Sequence, residues 1–364
     1  MKKICLVYGG DSLENEISIL TALKIEKELD KYSYPHMLVY LDENGNFYTG
    51  TPLKRKENYQ FRSHFIKGQF EKKNNKYYFK TRFKKEEFDM TLLLCHGQGS
   101  EDGTLGGFFD TLKIPCIYPG IVKSAIIQDK GYFKEIMKAL NIDQVNYLRL
   151  NEKSFENMMQ KNTLKIDLKY PLIIKPSHLG SSIGIKKVDN IDELVSAIYD
   201  TFKYDEEIII EECLTKFKEV NIAIFRNHDL IISELERVND QNSILTFLDK
   251  YDNYRPNDSH VIPADINPKF KKKIIAIAKK VYLNLNLKSV MRFDFLLDEE
   301  NGKIYLNEVN AIPGSLAYYL FEPLKIKMID LIQMMIEAYE NEMQAKKNRV
   351  HDFEDDLLLQ LKDK

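Results

Sequence analysis

The chain has 364 residues, enough for two to three domains of about 150 residues, so it can bury a core without disulfide or metal staples and is not a single small binding module. Its 53 Lys and Arg against 55 Asp and Glu leave a formal charge of -2, which supplies no net field to gather a phosphate backbone, so nucleic acid is not an expected partner. Four cysteines (Cys5, Cys95, Cys116, Cys213) without a C-x-x-C pair suit free thiols in a reducing compartment. No apolar run reaches the roughly 18 residues of a membrane span, and no leader with a cleavage site opens the chain, so a cytoplasmic protein without membrane contact is expected.

Residues 3–8 form an unbroken apolar run ending at Gly9-Gly10, which predicts a strand covered on both faces of a parallel sheet. A helix to residue 30 follows, with Ile17, Leu20, Ala22, Ile25 and Leu29 as apolar positions and with Asp11 and Glu14 at capping-box spacing. Strands over 37–40 and 90–95 enclose a basic, aromatic, hairpin-like stretch at 50–87, giving a βαβ start. One helix is predicted over 122–140, then a hairpin whose strands, 170–175 and 183–188, flank a turn at 176–182. Strand 207–212 is expected to open a third unit, followed by strands 221–225 and 230–235, a helix at 268–285, and strands 289–297 and 303–310 joined by a turn at 298–302. Residues 345–364 are charged and read as a helical appendage.

Side chains alternate along a strand, so Arg292 and Asp294 share one face, as do Glu308 and Asn310, and the turn at 298–302 brings these faces together. Two carboxylates and an amide oxygen make an all-oxygen cluster that suits Mg²⁺ better than zinc; the alternative is a salt-bridged strand face in which Arg292 neutralises the acids. The run Gly180–Gly184 offers backbone N–H and hydroxyl groups to a polyphosphate, with Lys175 as a fixed cation, or else it is a flexible turn. No G-x-x-x-x-G-K-[ST] segment occurs. The loop His96–Gly103 nearly matches G-x-G-x-x-G, but Asp102 takes the place of the last glycine and would repel a pyrophosphate. Taken singly, His96 reads as a structural histidine, Glu14 as a capping residue and Lys130 as a solvated helix lysine.

In order, the segments Tyr8–Ser18, His96–Gly103, Asp129-Lys130, Ile174–Gly184, Arg292-Phe293-Asp294, Asn307–Asn310 and Pro313-Gly314-Ser315 resemble the D-alanine:D-alanine ligase family of the ATP-grasp superfamily, from residue 3 to about residue 335. The resemblance implies an α/β plus α+β chain. Its parts would be an N-terminal Rossmann-like parallel-sheet substrate domain (1–120), a central ATP-grasp subdomain (121–205), a C-terminal ATP-grasp catalytic domain (206–344) and the charged tail (345–364). It implies ligation of two D-alanine molecules for peptidoglycan precursor synthesis, in which ATP phosphorylates the first carboxylate and the second amine attacks the acyl phosphate. ATP and two Mg²⁺ ions, with Mn²⁺ as a substitute, are the implied cofactors, D-alanine and ATP the implied partners, and a homodimer the expected assembly.

By motif, the resemblance makes Asp294, Glu308 and Asn310 metal ligands. Lys130 and Lys175 would hold the nucleotide phosphates, with Ser181 in a loop covering them, Glu211 at the adenine amino group, Leu214 offering backbone to the ring and Glu219 on the ribose. Glu14 would anchor the ammonium of the first D-alanine, with His96 and Glu101 completing that subsite. Arg292 and the Gly314 N–H would form the oxyanion site, and Tyr319 and Leu320 would cap the second subsite. A closing-loop tyrosine would join Glu14 and Ser181 in a triad; Tyr254 is the best-spaced candidate and Tyr251 the alternative. Four residues depart from the family pattern: Ser100 for the glycine before Glu101, Gly106 for Gln, Ser or Ala, Ala311 for Thr, Ser or Pro, and Asn253 for a phosphate-contacting lysine that Lys250 could replace. They keep open a ligase with another acceptor, such as D-serine, and a non-catalytic nucleotide-binding regulator.

Overall fold

The apolar run at the start of the chain becomes the centre of the first of three sheets. In the computed structural model, which describes residues 1–62, 64–238 and 260–349, strand β1 (Ile4–Gly9) is buried along its whole length. It pairs in parallel with β2 (His36–Leu41) and β7 (Met90–Leu93), and β7 pairs in parallel with β8 (Cys116–Ile117). Helix α1 (Asn15–Lys31) makes the βαβ crossover between β1 and β2. The stretch read as a hairpin does more than turn on itself. Strands β3 (Phe47–Thr49), β4 (Ile66–Lys73), β5 (Lys76–Thr81) and β6 (Lys85–Phe88) extend the same sheet antiparallel beyond β2, in the order β6-β5-β4-β3-β2-β1-β7-β8. Phe70, Phe79 and Phe88 bury their rings on one face of that extension and meet Phe109 of helix α2 (Thr104–Thr111).

The single helix expected over 122–140 is two, α3 (Ile121–Gln128) and α4 (Lys130–Ala139). Asp129 breaks it by adopting an extended conformation and capping α4, its Oδ1 accepting from the Tyr132 N–H at 2.9 Å, as short polar side chains favour at a helix start.

The second sheet is antiparallel, in the order β11-β10-β12-β9, from β9 (Tyr147–Asn151), β10 (Leu172–Pro176), β11 (Lys186–Val188) and β12 (Glu207–Glu212). Leu172, Ile174, Ile208 and Ile210 pack on helices α5 (Glu152–Gln160) and α6 (Ile191–Phe202), so the alternate residues Lys175 and Glu211 face the other way. Strand β12 therefore belongs to this sheet, and the division expected after residue 205 is corrected to one after Glu212: Ile208 and Ile210 fill the core of the second unit rather than the third.

The third sheet comprises β13 (Lys218–Asn227), β14 (Asp229–Ile232), β15 (Glu236–Val238), β16 (His260–Val261), β17 (Met291–Asp298) and β18 (Lys303–Asn310), with β17 between β13 and β18. Val220, Ile222, Ile224, Met291, Phe293, Phe295 and Leu297 pack on helix α7 (Pro268–Asn284) and on Phe133 and Met137 of α4. The last described helix, α8 (Met328–Lys347), joins the first and third sheets: Met328, Leu331 and Ile332 share one core with Ile4, Leu6 and Tyr8 and with Phe225.

Candidate active site

The polar faces of the three units look onto one cleft of about 1000 Å³. On the third sheet, register sets four polar residues in a row across the strands: Glu236 opposite Asn221, Asn221 opposite Asp294, and Asp294 opposite Glu308. A β-bulge makes this possible. On β18, Ile304 and Leu306 face the core, and unbroken alternation would send Glu308 and Asn310 there too. Between Asp294 and Phe295 the pairing shifts, so that Asn307 is the extra residue, Val309 joins the core, and Glu308 and Asn310 line the cleft. Arg292, opposite Asn310, donates from Nε and an Nη to the two Asp294 oxygens at 2.7 and 2.8 Å, and Asn310 Nδ2 donates to Asp294 at 2.9 Å. The ion pair weighed as an alternative to a metal site therefore exists, though on a cleft wall rather than on an exposed strand face. The side-chain oxygens of Asp294, Glu308 and Asn310, gathered on adjacent strands by register, are ligands of the kind that fits a hard divalent cation. Two other acid–histidine groupings among the described residues, Glu26–Asp30–His36 and Asp129–His178–Glu207, already carry Lys54 and Arg149 as counter-ions.

The second sheet and α4 supply the cations. Glu211 is buried, and its two oxygens lie 2.5 Å from the Nζ atoms of Lys134 and Lys175. Burial alone would raise the Glu211 pKa, but the two ammonium groups hold it down to about 2. Burial likewise works against the charge of Lys175, but Glu211 outweighs it and raises its pKa, whereas burial wins at Lys134 and lowers it. Lys175 also reaches the bulge residue, its Nζ 3.4 Å from Asn307 Oδ1. Lys130 donates to the Leu179 carbonyl, and burial lowers its pKa.

The loop leading to Ser181 is fastened at its base. His178 lies between Asp205, 2.9 Å from Nδ1, and Asp129, 3.2 Å from Nε2, and the hydrogen bonds to these carboxylates raise its pKa to about 10, so both ring nitrogens donate at neutral pH. Gln128 Nε2 donates to the His178 carbonyl at 2.7 Å, and the Lys130 N–H to the Ser177 carbonyl at 3.1 Å.

Beyond that base, the Ser181 hydroxyl donates to Glu14 Oε1. The capping-box reading of Glu14 is corrected: Glu14 is itself the residue before α1, makes no side-chain cap, and turns its buried carboxylate into the cleft. Two glycines allow this. A Cβ on Gly97, whose φ is +81°, would lie 2.4 Å from Ser12 Oγ and 2.9 Å from Glu14 Oε2, and one on Gly180 would lie 3.0 Å from Glu14 Oε1. Next to Glu14, burial and then the Glu14 charge push Glu101 up to about 8, although its Oε2 accepts from the Gly97 N–H at 2.8 Å. Burial, with Arg292 adding to it, pulls His96 down to about 4, so at neutral pH the proton belongs to Glu101.

Glu219, Gly314 and Tyr319 also line the cleft, but among the residues lining it neither Leu214 nor Leu320 occurs. The Leu320 side chain is fully buried in the core shared with α8. Ser315, Leu316 and Ala317 turn the chain left-handed, with φ of 51°, 58° and 48°, and the buried Leu316 and Ala317 hold this strained conformation. Tyr251, Asn253, Tyr254 and Lys250 lie outside the described residues. The departure at Gly106 has a steric reason, since a Cβ there would stand 2.2 Å from the Tyr118 ring.

Sequence reading missed three participants. Lys134 is four residues after Lys130 on the same helix face, a spacing that could have revealed it. Glu236, buried in the cleft wall, accepts from Tyr319 and Asn221 at 3.1 Å each and lies 2.7 Å from His260 Nδ1. The loop clamp made by His178 leaves no local pattern in sequence.

Comparison with known proteins adds to this geometry. The family models described as D-ala D-ala ligase N-terminus and D-ala D-ala ligase C-terminus match residues 3–119 and 136–337. A D-alanine--D-alanine ligase from Thermosipho africanus is 33% identical over 363 residues, which cover 98% of each chain. Among solved structures, a D-alanine-D-alanine ligase from Helicobacter pylori aligns with a TM-score of 0.74 at 29% identity, covering 92% of this chain and 99% of that one. The VanG D-Ala:D-Ser ligase from Enterococcus faecalis, at 24% identity and a TM-score of 0.77 over 93% and 99% of the two chains, shares the fold.

Proposed function

The chain belongs to the D-alanine--D-alanine ligase family, and from that premise we propose that its cleft joins two D-alanine molecules as ATP is converted to ADP and phosphate, for peptidoglycan precursor synthesis. One observation carries the reading: a single cavity is lined by Glu308, Asn310, Arg292, Lys130, Lys175 and the Glu14–Ser181 pair, with Asp294 bound to Arg292 and Asn310 in its wall.

A carboxylate does not react with an amine until it carries a leaving group, and phosphorylation supplies one. Lys130 and Lys175 bind the phosphates, and Ser181 covers them from a loop whose base is fixed by His178. Glu14 anchors the ammonium of the first D-alanine, with His96 and protonated Glu101 beside it. Arg292 and the Gly314 N–H offset the negative charge that develops when the acyl phosphate is attacked. Glu211 receives the adenine amino group, Leu214 offers backbone to the ring, Glu219 receives the ribose, and Tyr319 borders the acceptor. Asp294, Glu308 and Asn310 would hold two Mg²⁺ ions, or Mn²⁺, which would supply positive charge to offset that of the phosphates. Tyr254, with Tyr251 as the alternative, closes the triad with Glu14 and Ser181 and keeps water from the acyl phosphate.

A cytoplasmic setting is supported by four free cysteines, three of them buried, and no helix among the described residues is long and apolar enough to cross a membrane. A homodimer is the assembly we propose, to be read by light scattering. The function is tested by ADP release and dipeptide formation with ATP, Mg²⁺ and D-alanine. Turnover at background refutes it, and a mixed dipeptide made in preference when D-serine competes replaces the acceptor.

A further inference from the structure

Glu211 is a carboxylate with an ammonium group against each of its oxygens. Lys134 Nζ is 2.5 Å from Oε1, and Lys175 Nζ is 2.5 Å from Oε2. A carboxylate oxygen has room for a second donor, but an ammonium group already against it weakens what it can offer an adenine amino group, so the base is held best at an oxygen from which the lysine has left. The two are not equivalent. Lys134 is rooted in α4, its side chain only 3% exposed and its Nζ 4.9 Å from the Tyr147 ring centroid. Lys175 stands at the cleft end of β10, its side chain 14% exposed, with a second acceptor on Asn307 Oδ1 at 3.4 Å.

We propose that Lys134 is a positioning residue that sets base selectivity: it stays on Glu211 Oε1 while Lys175 leaves Oε2 for the nucleotide phosphates, so that Oε2 faces the base as a pure hydrogen-bond acceptor. This deepens the nucleotide role proposed above for Glu211 and Lys175 and rests on it. A buried carboxylate that lost both lysines would take up a proton, and the resulting acid could donate instead of accept. A 6-amino purine needs an acceptor at that point, whereas a 6-oxo purine needs a donor. Lys134 therefore decides which base the site prefers, without touching the nucleotide.

The test compares ATP with ITP, which differ at that position, by calorimetric binding to the full chain with Mg²⁺, while ADP release with D-alanine is followed in parallel. The unaltered chain should prefer ATP. Lys134→Met should weaken ATP binding by roughly tenfold, the equivalent of one hydrogen bond, and leave ITP unchanged or tighter, whereas Lys134→Arg should keep the original preference. In a Glu211→Gln background, Lys134→Met should not change the ATP-to-ITP ratio further. Equal weakening of both nucleotides by Lys134→Met, or a ratio change that persists with Gln at 211, would overturn the proposal by reducing Lys134 to a packing role. A second measurement does not depend on any variant folding: in a crystal of the unaltered chain with AMP-PNP and Mg²⁺, Lys134 should remain on Glu211 and Lys175 should have left it. Both lysines still on Glu211 with adenine bound would also overturn it. Failure of ADP release alone, with the ATP preference intact, counts against the ligase reading and not against this one; a chain that binds no ATP overturns both.

Discussion

Replacing Asp294 by Asn examines the cleft at its most connected point. The Asp294 side chain is 4% exposed and takes two charge-assisted hydrogen bonds from Arg292, itself 22% exposed, as well as one from Asn310. An amide keeps one acceptor oxygen for Arg292 and turns an N–H₂ group against a second donor, so one charge-assisted bond is lost and the guanidinium loses its counter-ion. Hydrogen bonds to charged groups contribute about 1.5–3 kcal/mol and breaking a buried pair costs about 3–5 kcal/mol; because Arg292 keeps some water, about 2–4 kcal/mol is expected. In thermal unfolding this is a fall of roughly 3–5 °C for a chain of this size. If Asp294 also holds Arg292 where negative charge develops and contributes a metal-binding oxygen, ADP release should fall by about 10²–10³-fold, as when an oxyanion donor is removed. Both are read on one preparation, by coupled ADP release at saturating D-alanine and by scanning calorimetry. ADP release within about twofold of the unaltered chain would refute the assignment of this row to catalysis, whatever the change in melting temperature.

Glu101→Gln addresses the proton between His96 and Glu101. Because the Glu101 pKa is raised from 4.5 to about 8 in the fold, its contribution to stability is complete below 4.5 and is lost as pH rises through 8; the Gln variant, neutral throughout, should lack that loss, and parallel melting-temperature profiles from pH 5 to 9 would contradict the reading. His178→Leu leaves Asp129 and Asp205 without the imidazolium that ties down the loop, so KM for ATP should rise by about tenfold with a smaller change in kcat, and an unaltered KM would show that the loop is held otherwise. Gly106→Ala sets helix propensity against space: alanine gains up to about 1 kcal/mol as a helix former, but a Cβ 2.2 Å from the Tyr118 ring should cost about 1–3 kcal/mol, so the melting temperature should fall, and a rise would mean the ring moves freely.

What the sequence determined by itself was local. The apolar run at 3–8 could only be a covered strand, the turn at 298–302 could only join neighbours, and the ordered motifs pointed to one family because each keeps its chemistry within a few residues. What crosses the chain was decided by tertiary structure. Alternation along β18 would have buried Glu308 with Ile304 and Leu306; the bulge at Asn307, formed by pairing with β17, turned it toward the cleft. Capping-box spacing gave Glu14 to its helix, yet Ser181, 167 residues away, claims its carboxylate. After Pro313 a left-handed turn at Ser315, Leu316 and Ala317 packs Leu320 into the core shared with α8, which no local pattern announces. No motif singled out Lys134, which folding leaves with little water and one carboxylate. Sequence spacing records which side chains neighbour one another along an element; desolvation and cross-strand register, which decide what a charged group must pair with, exist only once distant segments have packed.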